Sequence, residues 1–430
     1  MKISRRKHWI AALVLGSLID AAHADDSNSV TLYGVMDVAV GVVEHSPNAS
    51  SSFPTTVNPV SKVSTQFQNP VYGLFNGGIS DSRWGIRGNE NLGGGLNAFF
   101  DLESGFNGQS GQLNNAAASL AGTKNTVAGA SALDGQLFNR GAYVGLRDGK
   151  FGSVEFGRST TFGFDVITAY DPLFQSQLLS PLGFSGSYSA GGITEGSRTD
   201  NNIKYTNHVG DFNFGLSYSF GGVSGHFGDN STFGAVAGYQ NNAFGIQATY
   251  YEARDIVHSG ALVGANAIAS PLFSTTGTNV GALSLNDDYD YMIAARYVLG
   301  NATFKGGYER FVIKPPSDPV SPGTTVDYFG FTGALGNTTT TTATNVYFFG
   351  GDYQFTPSFD VATGIYDTQT EQSQGVLGGN QWQYSLLADY HFTRRTDVYA
   401  GYMFSKFNGA AFNGFQSTNY ILATGIRTLF

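Results

Sequence analysis

Seven histidines and no cysteine are the whole stock of imidazole and thiol chemistry in these 430 residues. His8 and His23 lie in the extreme N-terminal stretch, which leaves His45, His208, His226, His258 and His391. A covalent hydrolase needs a nucleophile held against an oriented base. No Gly-x-Ser-x-Gly elbow occurs, and His45, His226 and His258 fall in or beside loop-like stretches. The five histidines are poorly spaced for zinc and read as surface residues. Gly93-Gly94-Gly95 is not followed by the Lys-Ser/Thr pair of a phosphate loop, so it reads as a turn. With no thiol there is also no disulfide framework. Neither catalysis nor a cofactor is expected, and what remains is charge acting at a distance.

The first two dozen residues predict an export signal. Lys2, Arg5, Arg6 and Lys7 precede the apolar run Trp9 to Ile19, and Ala22-His23-Ala24 forms a cleavage site. The run is too short to span a bilayer, which takes about 20 apolar residues. The expected organisation is a signal peptide over 1–24 and one domain over 25–430. Removing residues 1–24 takes Lys+Arg from 23 to 19 and Asp+Glu from 32 to 31, so the formal charge moves from −9 to 19 − 31 = −12. A chain this acidic is a poor nucleic-acid partner.

Charged residues are 13% of the chain while aromatics are 14%, and charged residues usually make up about a quarter of a soluble domain. A β-protein with one greasy face fits that balance. Residues 211–220 show the face directly: Phe212, Phe214, Leu216, Tyr218 and Phe220 alternate with Asp211, Asn213, Gly215, Ser217 and Ser219. A barrel strand crossing a membrane reads this way, and so does a strand of a soluble sandwich. The connections decide between them. Sixteen strands are predicted near 30–41, 79–90, 95–107, 138–148, 151–158, 198–209, 211–221, 232–240, 243–253, 289–299, 302–313, 343–355, 359–368, 381–393, 396–406 and 418–430. They are joined alternately by tight turns such as Gly210-Asp211, Asn241-Asn242 and Gly300-Asn301 and by long polar stretches such as that around Thr338–Thr342. Short turns on one rim and long loops on the other characterise outer-membrane barrels. The prediction is an all-β, 16-stranded antiparallel transmembrane barrel with short periplasmic turns and long external loops. Its last strand carries Tyr420, Leu422, Ile426 and the terminal Phe430 on one face, the pattern of a barrel-assembly signal.

Four stretches carry a family resemblance: Ser29-Val30-Thr31-Leu32-Tyr33-Gly34, the run from Ser82 to Asn107, the run from Phe138 to Arg158, and the final ATGIRTLF. Over essentially the whole mature chain the sequence resembles the trimeric general-diffusion porins of Gram-negative bacteria, most closely the betaproteobacterial branch. The resemblance implies a homotrimer in the outer membrane, in contact with lipid and lipopolysaccharide and delivered by the assembly machinery through Phe430. It implies passive passage of ions and small hydrophilic solutes, with a third external loop folded into the barrel. It also implies a constriction with Arg83, Arg140 and Arg198 on the wall, joined by Arg87, and with Asp171 on the third loop, roughly Ser159 to Ser197. In two places the chain departs from the pattern. Val35 stands where relatives often carry a lumenal Lys, and Gln175 falls at the second acidic position, for which Asp165 and Glu195 could compensate. Three matched arginines against one matched acid predict weak to moderate anion selectivity. Arg158, on the face of Phe156, is expected to point out of the barrel toward a neighbouring subunit. A porin selective for a sugar or small anion shares the fold and is the alternative, although Tyr33, Tyr170 and Tyr188 do not make an aromatic track.

Overall fold

The computed structural model describes residues 28–44, 70–111, 113, 137–182, 197–259, 283–328, 331–372, 378–409 and 417–430. The expected leader, residues 1–24, lies outside the described residues, as do Tyr188 and Glu195. The strands in chain order are β1 (Ser29–Val43), β2 (Val71–Asn76), β3 (Arg83–Gly93), β4 (Leu96–Gly105), β5 (Gly141–Asp148), β6 (Gly152–Thr160), β7 (Arg198–Val209), β8 (Phe212–Ser219), β9 (Thr232–Gln240) and β10 (Phe244–Ser259). They continue as β11 (Leu283–Leu299), β12 (Ala302–Lys314), β13 (Thr325–Tyr328), β14 (Phe331–Asn337), β15 (Thr342–Thr356), β16 (Phe359–Thr370), β17 (Gly379–His391), β18 (Thr396–Gly409) and β19 (Thr418–Leu429). Among the described residues one helix, α1 (Phe162–Tyr170), follows β6.

Nineteen segments make sixteen barrel strands. β13 and β14 are a small hairpin in an external connection, with β14 laid parallel to β11. β2 and β3 are two halves of one wall strand, since β1 pairs with β2 through Val38–Val43 and with β3 through Ser29–Val35. Every other neighbour around the ring is antiparallel, and β1 pairs with β19 from Val35↔Leu429 to Val43↔Ile421. Gly34 and Phe430 exchange backbone hydrogen bonds at 3.0 and 3.1 Å to finish the seam. Closure follows from solvent: an open strand edge in hydrocarbon would leave N–H and C=O groups with no partner.

The alternation read from the sequence is the alternation of the wall. In β8, Phe212, Phe214 and Leu216 are exposed to the outside, while Asn213, Gly215 and Ser217 face in. Val30, Leu32, Ile293, Phe349 and Leu422 repeat this elsewhere. The seven short connections lie at 94–95, 149–151, 210–211, 241–243, 300–301, 357–358 and 392–395, where the turn residues of the sequence stand.

Two local features lay outside that alternation. β10 and β11 run longer than the periodicity suggested, to Ser259 and from Leu283. The second wall strand breaks at residues 77–82, and this knuckle folds around Asp37 of β1. The Asp37 carboxylate accepts the N–H groups of Gly78, Ile79 and Ser80 at 3.2, 3.1 and 2.7 Å and the hydroxyl of Tyr399. Ser82 closes it by bridging the Asp37 N–H and carbonyl.

Candidate functional site: a charged constriction

The third connection enters the barrel. Thr161 caps α1 by accepting the Phe164 N–H at 3.3 Å. The helix stops at Asp171, where Pro172 disfavours a further helical residue. Phe174 and Gln175 then take left-handed backbone, at φ 57° and 58°, turning the chain along the wall. Val166, Ile167, Tyr170, Leu173, Leu178, Leu179 and Leu182 form one buried cluster with lumenal residues such as Met292, Phe348, Tyr366 and Met403.

Lumen-facing glycines make room for this loop. A Cβ on Gly215 would sit 2.7 Å from Phe162, one on Gly245 2.7 Å from the Tyr170 hydroxyl, and one on Gly364 2.6 Å from Leu173. On Gly350 it would meet Pro172 at 2.9 Å and on Gly401 it would meet Leu179 at 2.1 Å. The loop thus lies in a track running from β8 round to β18. The described part of the loop, up to Leu182, narrows the lumen from that side.

On the wall of β3 to β7 the three predicted arginines come together. Arg140 Nε donates to Glu103 Oε1 at 2.7 Å and its Nη1 to Asp81 Oδ2 at 2.7 Å. Arg83 Nε lies 3.4 Å from Glu103 Oε2. Arg198 Nε donates to the Arg140 carbonyl at 2.8 Å, and its guanidinium lies 4.7 Å from the Phe164 ring on α1, joining wall to loop. Tyr33 donates to Asp101 at 2.9 Å and to Glu103 at 3.1 Å. Arg87 lies 5.2 Å over the Tyr33 ring, about 13 Å along the strand from Arg83 toward the short turns. Asp165, on α1, is held by Lys204 Nζ at 2.6 Å.

Two expectations need correction. Asp171 does not face the arginines. It is fully buried, accepts the Tyr366 hydroxyl at 2.6 Å and the Gln175 N–H at 2.6 Å, and its carbonyl takes Lys305 Nζ at 3.0 Å. Burial pushes its carboxyl up from the usual range, against the Tyr366 hydrogen bond that lowers it. It pins the loop to β12 and β16 instead of lining the passage. Arg158 does not point outward either: it is 6% exposed, donates to the Asn139 carbonyl at 2.8 Å and pairs with Asp200 at 2.7 Å. A bulge between Gly157 and Ser159 breaks the alternation that tied it to Phe156.

The acids that answer the arginines, Asp81 and Glu103, were not among the candidates. Glu103 could have been found by strand parity, since it shares a face with Asp101, which pairs with Arg87. Asp81 sits on the knuckle, which no periodicity announces.

A closed barrel with an apolar exterior, seven tight turns on one rim and an inward loop that narrows a charged lumen defines an outer-membrane channel protein. Residues 10–410 match the Gram-negative porin family, and the chain belongs to it. That family is one of channels, so the covalent hydrolase weighed from the sequence is set aside. An outer membrane porin protein of Bordetella pertussis is 31% identical over 227 residues, 50% of this chain and 48% of the relative. Outer membrane porin protein 32 of Delftia acidovorans is 33% identical over 218 residues, 50% of each chain. The matched segment thus spans about half the length of these curated relatives. In fold the chain is similar to an anion-selective porin from Comamonas acidovorans, with a TM-score of 0.63 at 20% identity over 94% of this chain and 100% of that one. It is also similar to OmpT of Vibrio cholerae in a trimer form, with a TM-score of 0.61 at 14% identity over 94% and 100%.

Proposed function

We propose that this protein is a general-diffusion porin: a homotrimer whose barrels pass ions and small hydrophilic solutes across the outer membrane, with a weak preference for anions. One observation carries the reading. Arg83 and Arg140 meet Asp81 and Glu103 on the wall of β3 to β5, with Arg198 buried directly behind them on the Arg140 carbonyl, a surplus of one positive charge. Opposed charges across a narrow aqueous path act on ions and dipolar solutes at close range, and distant loop charges are largely screened beyond about 8 Å at physiological salt. Arg87 and Asp165 belong to the same lumen as secondary charges, because each is engaged by a neighbour. The fold relatives named an anion-selective porin and a trimer form support selectivity and assembly by likeness. Export by an N-terminal signal over 1–24, contact with lipid and lipopolysaccharide, and delivery through Phe430 complete the proposal.

Single-channel recording in planar bilayers tests it. Conductance should rise in proportion to salt, without saturation, and a KCl gradient should give a reversal potential of anionic sign. Current that saturates with one sugar or carboxylate would instead mark a substrate-selective porin. A clear cation preference would remove the arginine cluster from the narrowest point.

A further inference from the structure

We infer that the short-turn end of the lumen holds a binding site for a transition-metal dication of the zinc class, built from His391, Asp389 and Asp397. The inference rests on strand register and is independent of the channel reading. On the inner face of four adjacent strands, Asp360 is paired with Asp389, His391 with Asp397, and Asp397 with Arg427. Register alone therefore gathers three carboxylates, one imidazole and one guanidinium into a patch that no spacing along the chain reveals.

The imidazole is oriented as a ligand. His391 Nε2 lies 2.7 Å from Asp360 Oδ1. With the proton on Nε2, this is the carboxylate–imidazole arrangement that fixes the tautomer of metal-bound histidines. Nδ1 is then a lone pair directed away from Asp360, 3.8 Å from Asp397 Oδ2. That separation is too long for a hydrogen bond. It is close to the spacing of two ligands on a common ion, since two bonds of about 2.0–2.2 Å at tetrahedral angles put their donors roughly 3.3–3.6 Å apart. One donor atom from each of Asp389, His391 and Asp397 lies within 4.8 Å of the others.

A second observation points to the same ligand. Asp389 and Asp397 are 6% and 3% exposed, and Oδ1 of each has no hydrogen-bond partner among the described residues. A buried carboxylate oxygen left in this state is costly, and a dication supplies what it lacks. Arg427 does not reach either Oδ1: its Nε and Nη2 both donate to Asp397 Oδ2, at 3.1 and 2.9 Å, its Nη2 lies 3.7 Å from Asp389 Oδ2, and its Nη1 donates to Ser80. Three carboxylates against this one guanidinium leave the patch two charges negative when His391 is neutral. Mixed nitrogen and oxygen ligation favours zinc-like ions over calcium or magnesium, which take all-oxygen shells.

Equilibrium dialysis of the folded, EDTA-washed protein against Zn2+ tests the site, with Co2+ as a spectroscopic substitute. One zinc per chain is expected in the wild type and in His226→Ala, which removes a surface histidine beside Asp229 and Asp318. None is expected in His391→Ala or Asp397→Asn. Asp360→Asn, which removes only the carboxylate behind the imidazole, should retain the stoichiometry and lose about 10- to 100-fold in affinity. Co2+ should give the intense visible bands of a four- or five-coordinate site with a nitrogen ligand. Folding of each variant is read from heat-modifiable mobility. Zinc stoichiometry unchanged in folded His391→Ala, or lost in His226→Ala, would overturn the site. If the ligand variants do not fold, the wild type decides alone: no zinc retained, or a weak octahedral cobalt spectrum, refutes it.

Discussion

Replacing Arg83 and Arg140 together by serine should reverse the ion preference of the channel. Arg83, Arg140 and Arg198 against Asp81 and Glu103 give a local charge of 3 − 2 = +1, and the double variant gives 1 − 2 = −1. For a charge taken about 6 Å from a passing ion, the interaction in water is about 0.7 kcal/mol. Screening over a Debye length of about 8 Å reduces this to about 0.3 kcal/mol. Anions and cations feel it with opposite sign, so each unit of charge shifts their discrimination by about 0.6 kcal/mol, or roughly threefold. The wild type should therefore favour chloride over potassium by about threefold and the variant should favour potassium by about as much. Reversal potentials under a KCl gradient, repeated at two ionic strengths, measure the ratio. An unchanged sign in the folded double variant, or an effect that does not weaken with salt, would refute the placement of these arginines at the narrowest point.

Asp81→Asn should move selectivity the other way, raising the anion preference by about threefold on the same reckoning. Asp171→Asn should leave selectivity unchanged, because the side chain is enclosed between the loop and β16, away from the arginines. It should lower thermal stability by about 1–3 kcal/mol through the weakened Tyr366 and Gln175 hydrogen bonds, as read by a melting curve followed by circular dichroism. Leu179→Ala should cost about 2–5 kcal/mol of packing between loop and wall and appear as increased open-channel noise. Phe430→Ser removes the ring that covers Gly34 and should lower the yield of heat-modifiable folded protein recovered from membranes.

Much of this molecule is legible in its residues because water and lipid enforce a period of two. The faces of Arg83, Arg87 and Tyr33 follow from Trp84, Ile86 and Leu32 on the opposite side, and the turns announce themselves through Gly, Asn and Asp. Legibility ends where alternation does. The bulge at Gly157–Ser159 reversed the reading of Arg158, and the knuckle at 77–82 hid Asp81 inside what reads as continuous strand. Asp171 was assigned by likeness to a loop whose own contacts bury it. The His391 patch escaped because its members run from Asp360 to Arg427 along the chain and their meeting depends on which rung of each strand pair faces which.

The glycine track beneath the inward loop bears on how the bore keeps its cross-section. Phe162, Tyr170, Pro172, Leu173 and Leu179 fill hollows on strands from β8 to β18, and the Ser176 hydroxyl reaches the Gly78 carbonyl beside β1. The hollows are spread around more than half the circumference, so the loop ties together strands that never pair with one another. It works as an internal strut: a ring of strands alone could be squeezed oval, whereas one braced from inside by packed side chains resists it.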